Sequence, residues 1–127
     1  MPSITDAYRA LHDRHHVDRG TLPAAAADAF TAIATGMSAG EHQGPPELYA
    51  TFALAQQEAL EGMAALGAHL GDTDACAAVP DLDDVGRLGG LLCEVLVAHA
   101  EDSRDPGRRL ALLNAAAHAG RIRDLLA

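Results

Sequence analysis

Apolar residues recur every three to four positions along most of the chain, and this period limits the possible folds more than any other feature. The stretch from Pro45 to Leu70 and the stretch from Asp81 to His99 each carry one apolar stripe with this spacing. A period of 3.6 residues is typical of amphipathic helices. Alternating runs of Val, Ile and Thr, which would indicate strands, are missing. The pattern therefore predicts an all-α fold.

The first two predicted helices are short and are separated by glycine. Ser3 can cap the first helix with an acidic partner three residues on, and Gly20 ends this helix. Thr21 opens the second helix, which we expect to stop in a glycine-rich loop from Gly36 to Gly44. Residues 1–36 are thus expected to form an N-terminal helical pair.

Three further helices are predicted after this loop. Pro45–Pro46 start a long third helix that Gly71 terminates. Asp81 caps the fourth helix, and Asp105–Pro106 begin the fifth, which reaches the C-terminus. We expect residues 45–127 to contribute the core helices of a bundle of four or five helices.

Length and charge restrict the class of protein. At 127 residues the chain is expected to be one domain, residues 1–127, that needs no disulfide or structural metal to fold. The net charge is −9, and the nine cations are scattered Arg residues. Nucleic acids and anionic membranes are therefore not expected partners. No apolar run reaches the length of a membrane span, and Cys76 and Cys93 form no C-x-x-C motif, which favours a cytoplasmic protein with reduced thiols.

The last predicted helix, from Leu110 to Leu126, is rich in Ala and apolar almost all round. Such a helix is normally buried on more than one side. In a protein of this size the pattern favours a homo-oligomer that assembles through the Ala/Leu-rich last helix.

Glu58 and Glu61 are the most informative polar residues. Their i, i+3 spacing places both carboxylates on one side of the third helix, about 5–6 Å apart at Cβ. Two half-buried glutamates repel each other, and a cation such as Mg²⁺ or an arginine would relieve the repulsion. The alternative is that both lie on the exposed back of an Ala-rich helix.

The stretch PPELYATFALAQQEALEGMAAL, residues 45–66, resembles the first metal-binding helix of the all-α nucleoside triphosphate pyrophosphohydrolases, the MazG-like family. The family motif E-E-x-x-E would correspond to Gln57-Glu58-x-x-Glu61. Its second motif, E-x-x-D on the next long helix, would correspond to the segment from Leu91 to Glu94. Gln57 and Leu91 replace family carboxylates.

The resemblance implies a Mg²⁺-dependent hydrolase, or a degenerate nucleotide-binding relative, with Glu58, Glu61 and Glu94 as metal ligands. Arg121 and Arg123 in the last helix could contact substrate phosphates, because guanidinium groups bind phosphate in a bidentate manner. The alternative class is a non-catalytic acidic helical module that binds another protein.

A second constellation consists of His12, His15 and His16 in the first helix. His12 and His16 are four residues apart, a spacing at which neutral imidazoles can chelate Zn²⁺, Ni²⁺ or Cu²⁺. The alternative is that histidines near a helix C-terminus interact favourably with the helix dipole. His118 has no partner that the sequence identifies.

Overall fold

The computed structural model describes residues 3–17, 21–69 and 78–126, without the side chains of residues 14–17. The described residues contain no strand, which confirms the all-α prediction. Five α-helices are present in these ranges: α1 (Ile4–Val17), α2 (Leu22–Gln43), α3 (Tyr49–Ala65), α4 (Leu82–Asp102) and α5 (Pro106–Leu125). A short 3₁₀ turn, Pro46–Leu48, precedes α3.

Local capping explains where three of the helices begin. The side chains of Ser3, Asp81 and Asp105 each accept a hydrogen bond from a backbone N–H two or three residues farther on. These contacts satisfy amide groups that have no partner inside the helix. The predicted starts of α1, α4 and α5 are confirmed.

The helices contact one another in a closed ring with the order α1–α2–α3–α5–α4, and α4 packs against α1 to complete it. α2 also contacts α4 across the ring. The interior is filled by apolar side chains from all five helices, as the periodic stripes predict. Its largest fully buried members are Phe30, Phe52, Leu11, Leu22, Ile33, Met37, Met63, Leu88, Leu92, Leu96, Ile122 and Val85.

The predicted glycine-rich loop from Gly36 to Gly44 is wrong, because α2 continues through it to Gln43. Gly40 is buried, and a Cβ at this position would lie 2.6 Å from the Phe52 ring. Glycine lowers helix propensity by about 1 kcal/mol, but here it admits an aromatic ring against the helix backbone. Packing between α2 and α3 therefore outweighs the local preference for a loop.

The third helix is shorter than predicted. α3 ends at Ala65 instead of Gly71, and Gly67 adopts a positive φ of 76° just beyond it. Only glycine adopts this conformation without strain, and it commonly follows a helix C-terminus. Gly20 and Gly71, the predicted helix ends, and Cys76 lie outside the described residues.

α5 is buried on two sides, as its composition predicts. It packs against α3 on one side and α4 on the other, and these helices bury residues such as Leu112, Ala115 and Ile122. Leu110 and Leu113 nevertheless remain exposed. Assembly of the chain into a homo-oligomer through this helix stays a prediction. Among the described residues, no helix is both long and apolar enough to cross a membrane.

We expect Gly62→Ala to lower the free energy of unfolding by about 1–3 kcal/mol, the usual cost of overpacking a core. A Cβ at position 62 would lie 2.5 Å from the buried Phe30 ring, which cannot move away without disturbing its neighbours. The matched control is Gly90→Ala in α4, where a Cβ would make an ordinary 3.5 Å contact with Arg123. This control should raise stability by about 0.5–1 kcal/mol. Urea denaturation of both variants checks the sign of each effect.

Candidate metal centre

Glu58 and Glu61 lie on the side of α3 that faces α5. Ala55 and Ala59, on the adjoining side of α3, are fully buried in the core. The Glu58 side chain is 20% exposed and the Glu61 side chain 48% exposed. The alternative prediction, that both glutamates lie on a freely solvated helix back, is therefore wrong for Glu58.

His118 on α5 provides the partner for both carboxylates. Its Nδ1 lies 2.6 Å from Glu58 Oε2 and 3.5 Å from Glu61 Oε2, and its side chain is 19% exposed. A carboxylate can only accept, so Nδ1 carries a proton in the short contact and donates it to Glu58. The imidazole thus links α3 to α5 across the edge of the bundle.

Two further polar side chains surround these three groups. Arg121 Nη1 lies 3.6 Å from Glu58 Oε2 and 3.3 Å from His118 Nδ1. Gln57 Nε2 donates a 3.4 Å hydrogen bond to Glu61 Oε1. Gln57 thus contacts Glu61 one helical turn farther along α3. The guanidinium of Arg121 supplies positive charge beside two carboxylates that would otherwise repel each other.

The arrangement has the donor set of a metal site. Within the described part of the chain, Glu58, Glu61 and His118 each place one ligand atom within 4.8 Å of the others. Ligand atoms around one ion at 2.0–2.2 Å lie up to about 4 Å apart, so small side-chain rotations would suffice. His118 Nδ1 would have to release its proton, because only a neutral imidazole nitrogen binds a metal.

Glu94, the third ligand that the resemblance implies, does not join this group. It lies on α4 and is exposed. The reason is the order of the helices: α5 lies between α3 and α4, so the two helices that would carry the two family motifs are not packed against each other. Leu91, on the same helix, packs against the hydrophobic core.

The two arginines predicted to contact phosphate have different surroundings. Arg121 belongs to the cluster around Glu58. The aliphatic stem of Arg123 lies near Gly90 of α4. Its Nε lies 3.1 Å from Oδ1 of Asp124, the next residue of α5. Only Arg121 is therefore placed to act together with the carboxylates of α3.

The histidines of α1 form a separate region of the surface. The His12 ring stacks on Tyr8 with a centroid distance of 6.4 Å, and its Nδ1 lies 3.9 Å from Asp13 Oδ1. The side chains of His15 and His16 lie outside the described part of the structure. Zinc binding by His12 and His16 stays a prediction.

His118 could not be identified as a candidate ligand from the sequence. Its partner Glu58 is 60 residues away along the chain, and no periodicity reveals which turn of α5 faces which turn of α3. One signal was present: His118 and Arg121 form an i, i+3 polar pair inside an Ala/Leu helix. α5 carries other polar residues as well, among them Asn114 and Asp124, so this pair alone does not single out the turn that faces α3.

We expect Glu58 and His118 to be energetically coupled in the metal-free protein. A double-mutant cycle with Glu58→Ala and His118→Ala, followed by urea denaturation in EDTA, should give a coupling energy of about 0.5–1.5 kcal/mol. The cycle cancels the gain in helix propensity that each Ala brings. A second cycle that combines Glu58→Ala with His42→Ala should be additive, because His42 is exposed and contacts Ser38 O on its own helix. Equal values from the two cycles would contradict the assigned contact.

Comparison of the chain with protein-family models, with curated proteins and with solved structures finds no match. The resemblance to MazG-like pyrophosphohydrolases therefore stays an expectation from short motifs. The geometry of Glu58, Glu61 and His118 is the basis on which a function can be proposed.

Proposed function

We propose that the protein binds one divalent metal ion between α3 and α5 through Glu58, Glu61 and His118. The observation that supports this proposal is the convergence of two carboxylates and one imidazole nitrogen within 4.8 Å. Glu58 is half-buried, Glu61 lies beside it at an exposed position, and Arg121 supplies only one positive charge against their two negative charges. A divalent ion would neutralise both of them.

The donor set favours a transition metal over Mg²⁺. Mg²⁺ prefers an octahedral shell of oxygen ligands and keeps several waters. Imidazole nitrogen suits Zn²⁺, Fe²⁺, Co²⁺ and Ni²⁺. Open catalytic sites also combine imidazole with carboxylate, although with two histidines and one carboxylate. The expectation of Mg²⁺ rested on the paired glutamates and on the family resemblance, neither of which included an imidazole ligand, and His118 moves the proposal toward Zn²⁺ and related transition metals.

The position of the cluster favours an accessible site rather than a closed structural one. Glu61 is 48% exposed and Arg121 is 59% exposed, so solvent and small molecules reach the ligand atoms. Three protein ligands leave at least one coordination position of a tetrahedral ion open. The apolar core extends over all five helices, so the fold does not depend on this metal.

The second candidate function is hydrolysis of nucleoside triphosphates to monophosphates and pyrophosphate, the activity that the family resemblance implies. Glu58 and Glu61, which match the first family motif, belong to the cluster, and Arg121 is beside them. Glu94, which matches the second motif, lies elsewhere on the surface. Only one of the two family motifs therefore contributes residues to the cluster.

We expect Zn²⁺ and Co²⁺ to bind at a ratio of one ion per chain, with weaker binding of Mg²⁺. Equilibrium dialysis and isothermal titration calorimetry measure the stoichiometry and affinity, and the visible spectrum of bound Co²⁺ reports the ligand geometry. Glu58→Gln and His118→Gln should each weaken Zn²⁺ binding at least about tenfold, because each removes one ligand. Glu94→Gln, at an exposed position of α4, is the matched control. This variant should bind Zn²⁺ as tightly as the wild-type protein does.

The proposal fails if the wild-type protein takes up no Zn²⁺ or Co²⁺ at micromolar concentrations. It fails equally if Glu94→Gln weakens binding as strongly as Glu58→Gln does, since the ion would then lie elsewhere. In either case the α3–α5 cluster would be a structural ion pair, which favours the alternative of a non-catalytic acidic module. The same titration with His12→Ala tests the histidine pair of α1 as a separate site.

If the protein is a pyrophosphohydrolase, nucleoside triphosphates with Mn²⁺ or Mg²⁺ should release pyrophosphate, measured by a coupled phosphate assay. Glu58→Gln should abolish this release, because it removes a ligand that positions the metal against the phosphates. Glu94→Gln distinguishes the two arrangements: it is harmless if the α3–α5 centre acts alone. Absence of turnover in the wild-type protein with every triphosphate would reject this second candidate.

A further inference from the structure

Arg121 takes part in two features of the surface at once. Its Nη1 lies 3.6 Å from Glu58 Oε2 in the metal centre. Its side chain also lines a groove of about 400 Å³ between α4 and α5, on the other side of the same turn. Arg121 is therefore shared by the metal centre and this groove, which we name the α4–α5 groove.

The α4–α5 groove has a mainly apolar lining. Its apolar walls come from both helices and consist of Cys93, Val97, Leu113, Ala116 and Ala117, with Gly120 at its floor. Its other charged residues, Arg123 and Asp124, pair with each other at 3.1 Å. The groove thus offers apolar surface to a ligand body and one guanidinium, that of Arg121, to a charged group.

A bound metal would change the charge around Arg121. Without metal, Glu58 contacts both Arg121 Nη1 and His118 Nδ1. With a divalent ion bound, the two negative charges are neutralised by the ion, and the positive charge of Arg121 is left over. A guanidinium beside an open metal position is a binding site for an oxyanion.

We propose that the metal-loaded protein binds an organic carboxylate with an apolar body, the carboxylate between the metal and Arg121 and the body in the α4–α5 groove. This inference rests on the metal centre proposed above. The single surplus charge matches a monoanion better than a triphosphate, and the apolar walls offer few partners to a nucleobase. The α4–α5 groove is a shallow, open feature of about 400 Å³, so its shape sets no upper limit on the length of the apolar body.

The experiment uses 2-naphthoate as the probe, whose fluorescence and heat of binding can both be followed. Zn²⁺ binding is measured first on the wild-type protein. We expect 2-naphthoate to bind the Zn²⁺-loaded protein at least tenfold more tightly than the protein in EDTA. Acetate has the charge without the body, and 2-naphthalenemethanol has the body without the charge. Each should bind at least tenfold more weakly than 2-naphthoate.

Two variants test the two halves of the site, and one matched variant controls for them. Arg121→Gln should weaken 2-naphthoate binding about tenfold while Zn²⁺ binding stays the same or becomes tighter, because a competing cation is removed. Leu113→Glu places a negative charge in the groove and should have a similar effect on 2-naphthoate. Leu110→Glu adds the same charge at an exposed position of α5 that does not line the groove, and should change the affinity less than twofold.

The outcomes separate this inference from the proposal on which it rests. If the wild-type protein binds no metal, both are rejected. If Zn²⁺ binds but 2-naphthoate does not, or binds equally well in EDTA, only the carboxylate site is rejected. The inference is likewise overturned if Leu113→Glu and Leu110→Glu behave alike, or if ATP displaces 2-naphthoate and binds more tightly than it does.

Discussion

The packing of α5 between α3 and α4 determines which polar groups can meet. The buried face of α5 contains small residues such as Ala115 and Ala119, which leave little side-chain bulk between it and its neighbours. On one side this brings His118 against the two glutamates of α3. On the other side it keeps Glu94 of α4 away from them. The position of one helix thus replaces a carboxylate by an imidazole in the candidate site, and with it changes the metal that the site favours.

The charge balance of the cluster explains why it can exist without a metal and still accept one. Glu58 and Glu61 contribute two negative charges, Arg121 supplies one positive charge beside Glu58, and His118 hydrogen-bonds to Glu58. Partly exposed ion pairs contribute little to folding stability, on the order of 1 kcal/mol or less. Replacing these contacts by metal ligation would therefore cost the fold little. A cluster held by such weak contacts is well suited to exchange its cations.

The parts of the fold that depend on local chemistry follow from the sequence, and those that depend on distant packing do not. The caps at Asp81 and Asp105 involve backbone groups two residues away, and both were predicted. Gly40 was assigned to a loop because its low helix propensity is visible locally, whereas the Phe52 ring that favours it is brought in by α3. For the same reason Glu58 was recognised as a candidate ligand and His118 was not. The helix register that joins α3 to α5 is a property of the whole core.

The net charge of −9 implies that the proposed metal ion binds before any anionic ligand does. A strongly negative protein attracts divalent cations and repels anions over roughly a Debye length, about 8–10 Å at physiological ionic strength. In the metal-free state Arg121 is held by Glu58, so the surface offers an anion no free positive group at this position. Binding of the proposed ion would neutralise the carboxylates and leave the positive charge of Arg121 uncompensated. An anionic ligand would therefore bind after the metal and not before it, and each would strengthen the binding of the other, because their coupling is reciprocal.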